Sequence, residues 1–263
     1  TELADLGLCG LYVGENHGGF CMGPVEGKVG LEEVGRGNAR EPIQQALISG
    51  AVLEGYAPEA IKTEWLPEIA GGEAIVVLAQ QERKSRYNIN KCDAQAQQQD
   101  GQWNISGTKS VVAVGDHADA FLVPAMAAGK LALFLVAKGA KGAATSGYVT
   151  QDGARAAELS LNQTPASLVT LEGQTALSHA VDIGIATVCA EAVGVMDKTM
   201  AITVDYMNTR KQFNTTIASF QALRHRVADM KMQLELGRSM SYYASLKLNT
   251  PAAERHQAMA RAK

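Results

Sequence analysis

A glycine-rich stretch between Gly14 and Gly23 is the first part of the chain whose residue types could bind a ligand. Closely spaced glycines let backbone N–H groups approach a phosphate. The stretch has no G-x-G-x-x-G pattern, and the segment from Gly23 to Lys28 is one residue too short for a P-loop. Val29 stands where a P-loop carries the Ser or Thr that holds magnesium. The sequence therefore excludes a nucleotide-binding P-loop.

The cysteines offer little for metal or disulfide chemistry. They are far apart in the sequence, at Cys9, Cys21, Cys92 and Cys189. Since no two of them form a C-x-x-C pair, their spacing is poor for a zinc site. We expect a reduced protein that holds no metal ion.

Composition and charge exclude several classes of protein. The 263 residues are 46% hydrophobic and 5% aromatic, and the formal net charge is −3. A slightly acidic chain with few aromatic residues is not expected to bind nucleic acid. The longest apolar runs, Ala74 to Ala79 and Leu131 to Ala137, are shorter than the roughly 20 residues of a membrane-spanning helix. No secretory signal is visible. We expect a cytoplasmic protein that does not bind membranes.

Three sections with different hydrophobic periods must position any functional residues. Residues 1–73 are predicted to be helical, with helices over Val25–Val34 and Pro42–Leu53. Residues 74–173 carry short β-rich runs at intervals of about ten residues, typical of an antiparallel barrel or sandwich. These runs are Ala74–Ala79, Gln102–Ser106, Lys109–Val114, Ala120–Val123, Leu131–Ala137, Gly147–Thr150, Ala157–Leu161 and Leu168–Leu171.

Residues 174–263 return to a helical period. One apolar stripe runs from Ile185 to Met200, and a second runs from Leu223 towards Leu246. A third helix is predicted to start near Pro251, because proline is favourable in a first helical turn. Two long helices and part of a third indicate an incomplete antiparallel bundle. We expect either further residues or another subunit to cover its apolar face.

The segment from Arg210 to Gln221 carries a resemblance to a known family. It reads Arg-Lys-Gln-Phe-Asn-Thr-Thr-Ile-Ala-Ser-Phe-Gln, and His225 and an Ala-Asp-Met triplet at 228–230 follow it. This pattern resembles the R-x-Q-F-G-x-x-I-x-x-F-Q…H…A-D-M signature of the acyl-CoA dehydrogenases. Other segments are similar to the same family in the same order, namely residues 31–37, 65–73, 106–112, 118–123 and 191–194.

The resemblance covers essentially the whole chain and implies an α+β fold. It implies an N-terminal helical domain over 1–73, a middle antiparallel β barrel over 74–173 and a C-terminal antiparallel helix bundle over 174–263. Compared with the family, the chain is expected to be truncated at both ends. Its pattern is most similar to a bacterial branch that includes pimeloyl-CoA and steroid side-chain dehydrogenases, which often work as heterotetramers.

The resemblance also implies a cofactor and a reaction. Family members use FAD to oxidise an acyl-CoA thioester to the trans-2-enoyl-CoA, with a carboxylate removing the α-proton while the β-hydrogen leaves as hydride. The electrons then pass to an electron-transfer flavoprotein. By resemblance, Arg210 meets the FAD pyrophosphate at a subunit interface, with Phe213 and Gln221 nearby. The full set of expected cofactor-binding residues is Gln80, Gln81, Val111, Val112, Ala113, Arg210, Gln212, Phe213, Ile217, Phe220 and Gln221.

Two departures from the family pattern affect this site. Family members commonly have T-E-P-x-x-G-S-D where this chain has residues 80–88, although Gln80 or Gln81 could still bond the flavin. The family's W-I-T/S is replaced by Val-Val-Ala at 111–113, which removes an aromatic wall and a hydroxyl donor. Arg86 and Tyr87 are expected to contact the substrate. Arg86 could face a substrate carboxylate or a CoA phosphate, or could be a surface charge.

No catalytic base is assigned within these residues. Many family members carry it on a segment beyond the second bundle helix, so we expect a Glu or Asp beyond Lys263. Other members carry a Glu near the start of the first bundle helix. Asp182 lies near that position but is predicted to face elsewhere on the helix. Glu191 is interpreted as a packing or capping acid, and His225 as a structural helix residue.

The sequence is compatible with three functions. The first is an FAD-dependent acyl-CoA dehydrogenase of fatty acid or lipid degradation, working as a homo- or heterotetramer. The second is a non-catalytic or half-site subunit of a heteromeric dehydrogenase, which the lost aromatic wall and the unseen base favour. The third is a flavin monooxygenase or oxidase, because one fold can host several chemistries.

Overall fold

The computed structural model describes residues 2–85 and 87–263, with helices and strands in the predicted order. The helices are α1 (Glu2–Asp5), α2 (Pro24–Gly37), α3 (Ile43–Tyr56), α4 (Glu59–Gly71), α5 (Gly173–Thr209), α6 (Gln221–Lys247) and α7 (Ala252–Ala262). The strands are β1 (Val76–Leu78), β2 (Gln95–Gln99), β3 (Gln102–Ala113), β4 (Ala120–Ala127), β5 (Lys130–Ala137), β6 (Ala143–Val149), β7 (Arg155–Thr170), β8 (Lys211–Gln212) and β9 (Thr215–Thr216).

The described chain forms two compact units. The first contains the residues up to Gly23 and those from Arg40 to Ile183, and the second contains Pro24–Ala39 and Gly184–Lys263. The division falls inside α5, and α2 belongs to the same unit as the C-terminal helices. The division of the sequence at residues 73 and 173 stays a prediction.

Five strands of the first unit close into a ring, in the order β4, β2, β3, β7, β5 and back to β4. Four of the five pairings in the ring are antiparallel, and the pairing of β2 with β4 is parallel. An odd number of strands cannot alternate in direction around a closed ring, so at least one parallel pairing is unavoidable. The barrel prediction is confirmed, with this one parallel pairing added.

Several observed strands differ from the predicted runs. β3 and β7 each join two runs that the sequence had separated, because their mutual pairing continues through shifts in register, with one break between Ile105 and Gly107. Such bulges let a long strand bend without ending. β2 was missed because four of its five residues are glutamine, and only Ala96 is buried. The sequence also named no helix over α4, which accommodates Pro67 in its interior.

The barrel encloses an apolar core. The half-buried Trp103 packs against this core, and its ring centroid lies 5.3 Å from that of the buried Phe134. Other buried members are Val77, Ile105, Val112, Phe121, Val123, Val136, Leu159 and Leu161. Because these side chains alternate with more exposed ones along β3 and β7, the period of two that predicted strands also determines which face is buried.

The second unit packs α2 tightly against α5. A Cβ atom on Gly35 would overlap the carbonyl oxygen of Glu191, and one on Gly194 would overlap that of Glu32. Both glycines belong to segments that resemble the family. Their small size therefore has a packing reason, since a side chain at either position would force the two helices apart.

Alternating charges tie α2 to α5 and α6 within the same unit. Glu32 pairs with the buried Lys28 and also accepts a hydrogen bond of 3.2 Å from Arg238 on α6. Arg36 pairs with Asp197 on α5, and Arg238 lies 3.5 Å from the same carboxylate. The Lys28 ammonium lies 3.6 Å from the ring centroid of Tyr242, a cation–π contact.

An 18-residue window of α5 has a mean hydropathy of 1.4, so by length and composition alone it is the one described helix that could cross a membrane. A core helix of a soluble protein passes the same test, and 44% of this window is buried. The expected lack of membrane binding stays a prediction.

A histidine joins three segments of the first unit. His17 Nδ1 lies 3.2 Å from Glu54 on α3, and its Nε2 lies 3.1 Å from Glu59 at the start of α4. Glu54 also accepts a hydrogen bond of 3.1 Å from the backbone N–H of Gly14. The hydrogen bond to Glu59 raises the pKa of His17, burial opposes this rise, and the hydrogen bond and charge of Glu54 add to it. The glycine-rich stretch is therefore joined to α3 and α4 through His17.

We predict that His17 makes the free energy of unfolding depend on pH. Its pKa is higher in the folded than in the unfolded chain, so its contribution is complete below the ordinary value of 6.5 and is lost as the pH rises through the raised pKa. Urea unfolding of the wild type and of His17→Gln, measured from pH 5.5 to 8.5, checks this. The difference between the two should shrink across that range, and a constant difference would contradict the assignment.

Candidate functional site

A tight hairpin after α5 presents the Arg210–Gln221 segment. β8 and β9 pair antiparallel, and the two residues between them, Phe213 and Asn214, have φ of 54° and 62°. Positive φ at both central positions is the mark of a type I′ turn. Asparagine adopts this conformation more readily than most residues, which explains how Asn214 replaces the glycine of the family pattern.

Backbone hydrogen bonds fix both ends of this hairpin. The N–H of Arg210 donates to Tyr206 O at 2.8 Å, and Arg210 O accepts from the N–H of Ile217 at 2.9 Å. The chain then makes a short 3-10 turn over Ile217–Ser219 and enters α6 at Gln221. The Arg210 and Gln221 side chains are exposed, so the hairpin offers a cation and an amide on an ordered backbone.

Two exposed aromatic rings accompany the cation. Phe213 is 87% exposed and Phe220 is 37% exposed, and their rings meet edge to face with centroids 6.0 Å apart. Gln212 is also exposed, and Ile217 is half-buried. An apolar ring held open on a turn with positive φ, a conformation unfavourable for phenylalanine, is a feature expected of a binding surface.

The first unit holds the other predicted cofactor residues. Gln80 and Gln81 follow β1, and Gln81 O accepts a hydrogen bond of 2.8 Å from the N–H of Ser110 on β3. This bond brings the segment 80–81 beside the segment 111–113. Gln80 Oε1 is buried and has no hydrogen-bond partner among the described residues. A buried acceptor without a donor is costly, so the position suits a ligand N–H.

The residues that replace the family's aromatic wall differ in their roles. Val111 has φ of 53° and its side chain is 49% exposed, whereas Val112 is 1% exposed and belongs to the barrel core. Ala113 is half-buried. Positive φ is rare for a β-branched residue and marks local strain. Of the three side chains, Val111 is the most available to a ligand.

A buried ion pair beside these residues was not found from the sequence. Lys109 Nζ donates to Glu82 Oε1 at 2.7 Å, and the two side chains are 0% and 6% exposed. Burial raises the pKa of Glu82, but the hydrogen bonds from Lys109 and from two backbone N–H groups outweigh burial, and its pKa lies below the ordinary value. Lys109 belongs to the family-like segment 106–112, but no local sequence pattern indicates that its side chain is buried.

A cavity of about 310 Å³ opens beside this pair. Its walls combine acidic, basic and hydroxyl side chains from the loop after β1 and from β3. The lining residues are Glu82, Arg83, Lys84, Asp93, Ala94, Gly107, Thr108 and Ser110.

The remaining predicted residues lie in different environments. Arg86 lies outside the described residues, and Tyr87 is 97% exposed. Asp182 is buried at 3% exposure, Glu191 is half-buried and His225 is exposed. The absence of an assigned base and all site assignments therefore stay predictions.

Comparison with known proteins adds family evidence to this geometry. Residues 1–73 match the model of the acyl-CoA dehydrogenase N-terminal domain, and residues 172–263 match that of the acyl-CoA dehydrogenase C-terminal domain. Together the two stretches span more than half of the chain. The chain belongs to the acyl-CoA dehydrogenase family, and the resemblance found from the sequence is confirmed.

Individual relatives agree with this membership. An acyl-CoA dehydrogenase of Mycobacterium tuberculosis, FadE27, is 30% identical over 87% of this chain and 60% of its own length. The mitochondrial isovaleryl-CoA dehydrogenase of Oryza sativa subsp. japonica is 26% identical over 91% of this chain and 63% of its own length. A solved Tcur3481-Tcur3483 steroid ACAD variant is 28% identical with a TM-score of 0.90, covering 100% of this chain and 71% of that one. The chain thus spans about three fifths of the length of the two curated relatives.

We predict that position 214 tolerates glycine but not a β-branched residue. Asn214→Gly keeps a residue that accepts positive φ, whereas Asn214→Val places a branched Cβ there, at a cost of about 1–2 kcal/mol. Equilibrium urea denaturation followed by circular dichroism measures both changes in the free energy of unfolding. Equal stability of the two variants would show that the turn is not type I′.

Proposed function

We propose that this chain forms the greater part of an FAD-dependent acyl-CoA dehydrogenase, which oxidises an acyl-CoA thioester between its α- and β-carbons. The observation that carries the proposal is the Arg210–Gln221 segment. It matches the family signature except that Asn214 replaces a glycine, and it holds an exposed cation and an exposed aromatic ring on a hydrogen-bonded hairpin.

The residues present suit FAD. The pyrophosphate carries negative charge, and the exposed Arg210 guanidinium can donate two parallel hydrogen bonds to it. The flavin ring has polar N–H and C=O edges, and Gln80 Oε1 is a buried acceptor that lacks a donor among the described residues. The exposed face of Phe213 offers an apolar surface to a planar ring.

When bound, FAD supplies the acceptor for the hydride that leaves the β-carbon. The chain's own residues position and shield the reactants. Arg210 would neutralise phosphate charge, Gln80 or Gln81 would orient the polar edge of the ring, and Val111 would pack against the ring face. Tyr87 and Arg86 are proposed to contact the thioester substrate. The catalytic carboxylate is not assigned to any residue of this chain.

Partners and setting follow from the same proposal. Electrons would pass to an electron-transfer flavoprotein, and the exposed rings of Phe213 and Phe220 would be covered in a homo- or heterotetramer. The acyl group is a fatty, dicarboxylic or polycyclic one, and the likeness to a steroid ACAD favours the polycyclic class. A cytoplasmic location is proposed on composition alone.

A second candidate function is a half-site subunit of a heteromeric dehydrogenase. Val111 favours it, since a half-exposed aliphatic side chain stands where the family pattern has an aromatic wall. Such a subunit would need a homologous partner to complete the flavin face.

Product analysis tests the two functions. The purified protein is incubated with FAD, an acyl-CoA panel and an electron acceptor, with and without a co-expressed homologous subunit. Mass spectrometry should detect a thioester that has lost two hydrogens. Turnover without the partner supports a complete dehydrogenase, turnover only with the partner supports the half-site subunit, and absence of product in both would contradict the family activity. Oxygen consumption without an electron acceptor would indicate an oxidase or monooxygenase instead.

We predict that Arg210→Ala weakens FAD binding by about ten- to a hundredfold, because a hydrogen bond to a charged group contributes roughly 1.5–3 kcal/mol. Lys211→Ala is the matched control, since it removes the same charge from the neighbouring exposed position. Quenching of flavin fluorescence during titration measures both dissociation constants. Equal weakening in the two variants would show that Arg210 contributes only overall charge.

A further inference from the structure

A buried ion pair joins the two segments of the first unit that the proposed function places beside the flavin. Glu82 follows Gln81 directly, and Lys109 precedes Val111 by two residues. Their side chains meet at 2.7 Å and are almost completely buried. The pair therefore connects the chain after β1 to the middle of β3.

The Glu82 carboxylate also closes the loop that follows it. Its Oε2 accepts from the N–H of Asp93 at 2.6 Å, and its Oε1 accepts from the N–H of Ala94 at 3.2 Å. Cys92 Sγ lies 3.4 Å from Oε1 and 3.5 Å from Lys109 Nζ. One carboxylate thus holds both ends of the segment 82–94, which contains Tyr87.

Lys109 sits where β3 leaves its regular pairing with β7. The register between these strands shifts between Lys109 and Val112, so two intervening residues form a bulge. The first of them, Ser110, donates its N–H to Gln81 O at 2.8 Å. The second, Val111, has positive φ and a half-exposed side chain. The bulge that exposes Val111 is consequently held in place by contacts with Gln81 and Glu82.

The close approach of the two segments leaves little room for adjustment. A Cβ atom on Gly107 of β3 would lie 2.7 Å from the Cβ of Ala94. Ala94 and Gly107 are therefore in close contact, and Gln81 and Ser110 are joined by a backbone hydrogen bond. This arrangement favours one spacing of the two segments.

Stability alone does not explain a buried pair of this kind. Removing two charges from water is costly, and an apolar pair of similar volume often stabilises a core equally well. The charged groups also fix geometry, because four donors bind the one Glu82 carboxylate at defined distances.

We propose that the Glu82–Lys109 pair is a positioning device for the flavin, which fixes the spacing between Gln80–Gln81 and Val111–Ala113. The inference rests on the proposed function, because that function assigns both segments to FAD. Neither Glu82 nor Lys109 contacts the cofactor in this role; they act through the backbone of the residues beside them.

The test uses the double variant E82Q/K109M. Removing only Lys109 would leave an uncompensated buried carboxylate and endanger folding, whereas the double variant removes both charges and keeps an amide oxygen for one backbone N–H. The matched control is K28M/E32Q, which removes another buried lysine–glutamate pair from α2. Both proteins are first checked for folding by circular dichroism and thermal unfolding.

Three properties are then measured for the wild type and both variants. These are the dissociation constant for FAD, the visible absorption spectrum of the bound flavin, and hydrogen–deuterium exchange of the protein without FAD. In E82Q/K109M, FAD binding should weaken about tenfold or more, and the spectrum should shift. Exchange should accelerate in peptides covering 93–94 and 110–113. The control should match the wild type in FAD affinity, in spectrum and in these peptides.

The possible results distinguish failure of the positioning role from failure of the proposed function. If the wild type binds FAD and E82Q/K109M matches it in affinity and spectrum, the positioning role is overturned while the proposed function stands. If the wild type binds no FAD, the proposed function and the inference both fail. Should the double variant not fold, E82D replaces it, because it keeps the charge but shortens the side chain; unchanged affinity and spectrum in that variant would also overturn the inference.

Discussion

Closure of five strands into a ring is the constraint on which the first unit depends. Because the number of strands is odd, at least one pairing in the ring must be parallel. This is the pairing of β2 with β4, and β1 pairs with another part of the same edge of β4. β1 lies beside β4 for three residues, and Gln80 follows shortly after the end of this strand. The long strands β3 and β7 complete the ring only through register shifts, and one of these breaks exposes Val111. The predicted cofactor residues of this unit lie at the places where the ring departs from regularity.

Buried charge organises both units. In the first, Lys109 is completely buried and is balanced by Glu82, whose pKa is held low mainly by that hydrogen bond against the effect of burial. In the second, Glu32 is shared by Lys28 and Arg238 between α2 and α6. Each carboxylate serves several donors, which satisfies the requirement that buried charges be paired and hydrogen-bonded. The exposed hairpin contrasts with both, since Arg210 and Phe213 face outward.

Periodicity predicted the elements with strong patterns, such as α5, α6 and the apolar strands β4 and β5. It could not find β2, whose glutamines give no alternation, and within the predicted helical section 1–73 it named no separate helix over α4. It also could not show that α2 packs with α5, because Gly35 meets Glu191 and Gly194 meets Glu32 across more than 150 residues of sequence. The Arg210–Gln221 segment was recognisable because its residues are contiguous. The Glu82–Lys109 pair was not, since burial and a separation of 27 residues leave no local signal.

Anaerobic titration of the FAD-loaded protein with acyl-CoA thioesters tests the proposed chemistry most directly. Transfer of a hydride from the β-carbon reduces the flavin, so its visible absorption should bleach in proportion to added substrate and recover when an electron acceptor is admitted. A thioester that binds without bleaching, across fatty, dicarboxylic and polycyclic acyl groups, would contradict the assignment of this chain to acyl-CoA dehydrogenation.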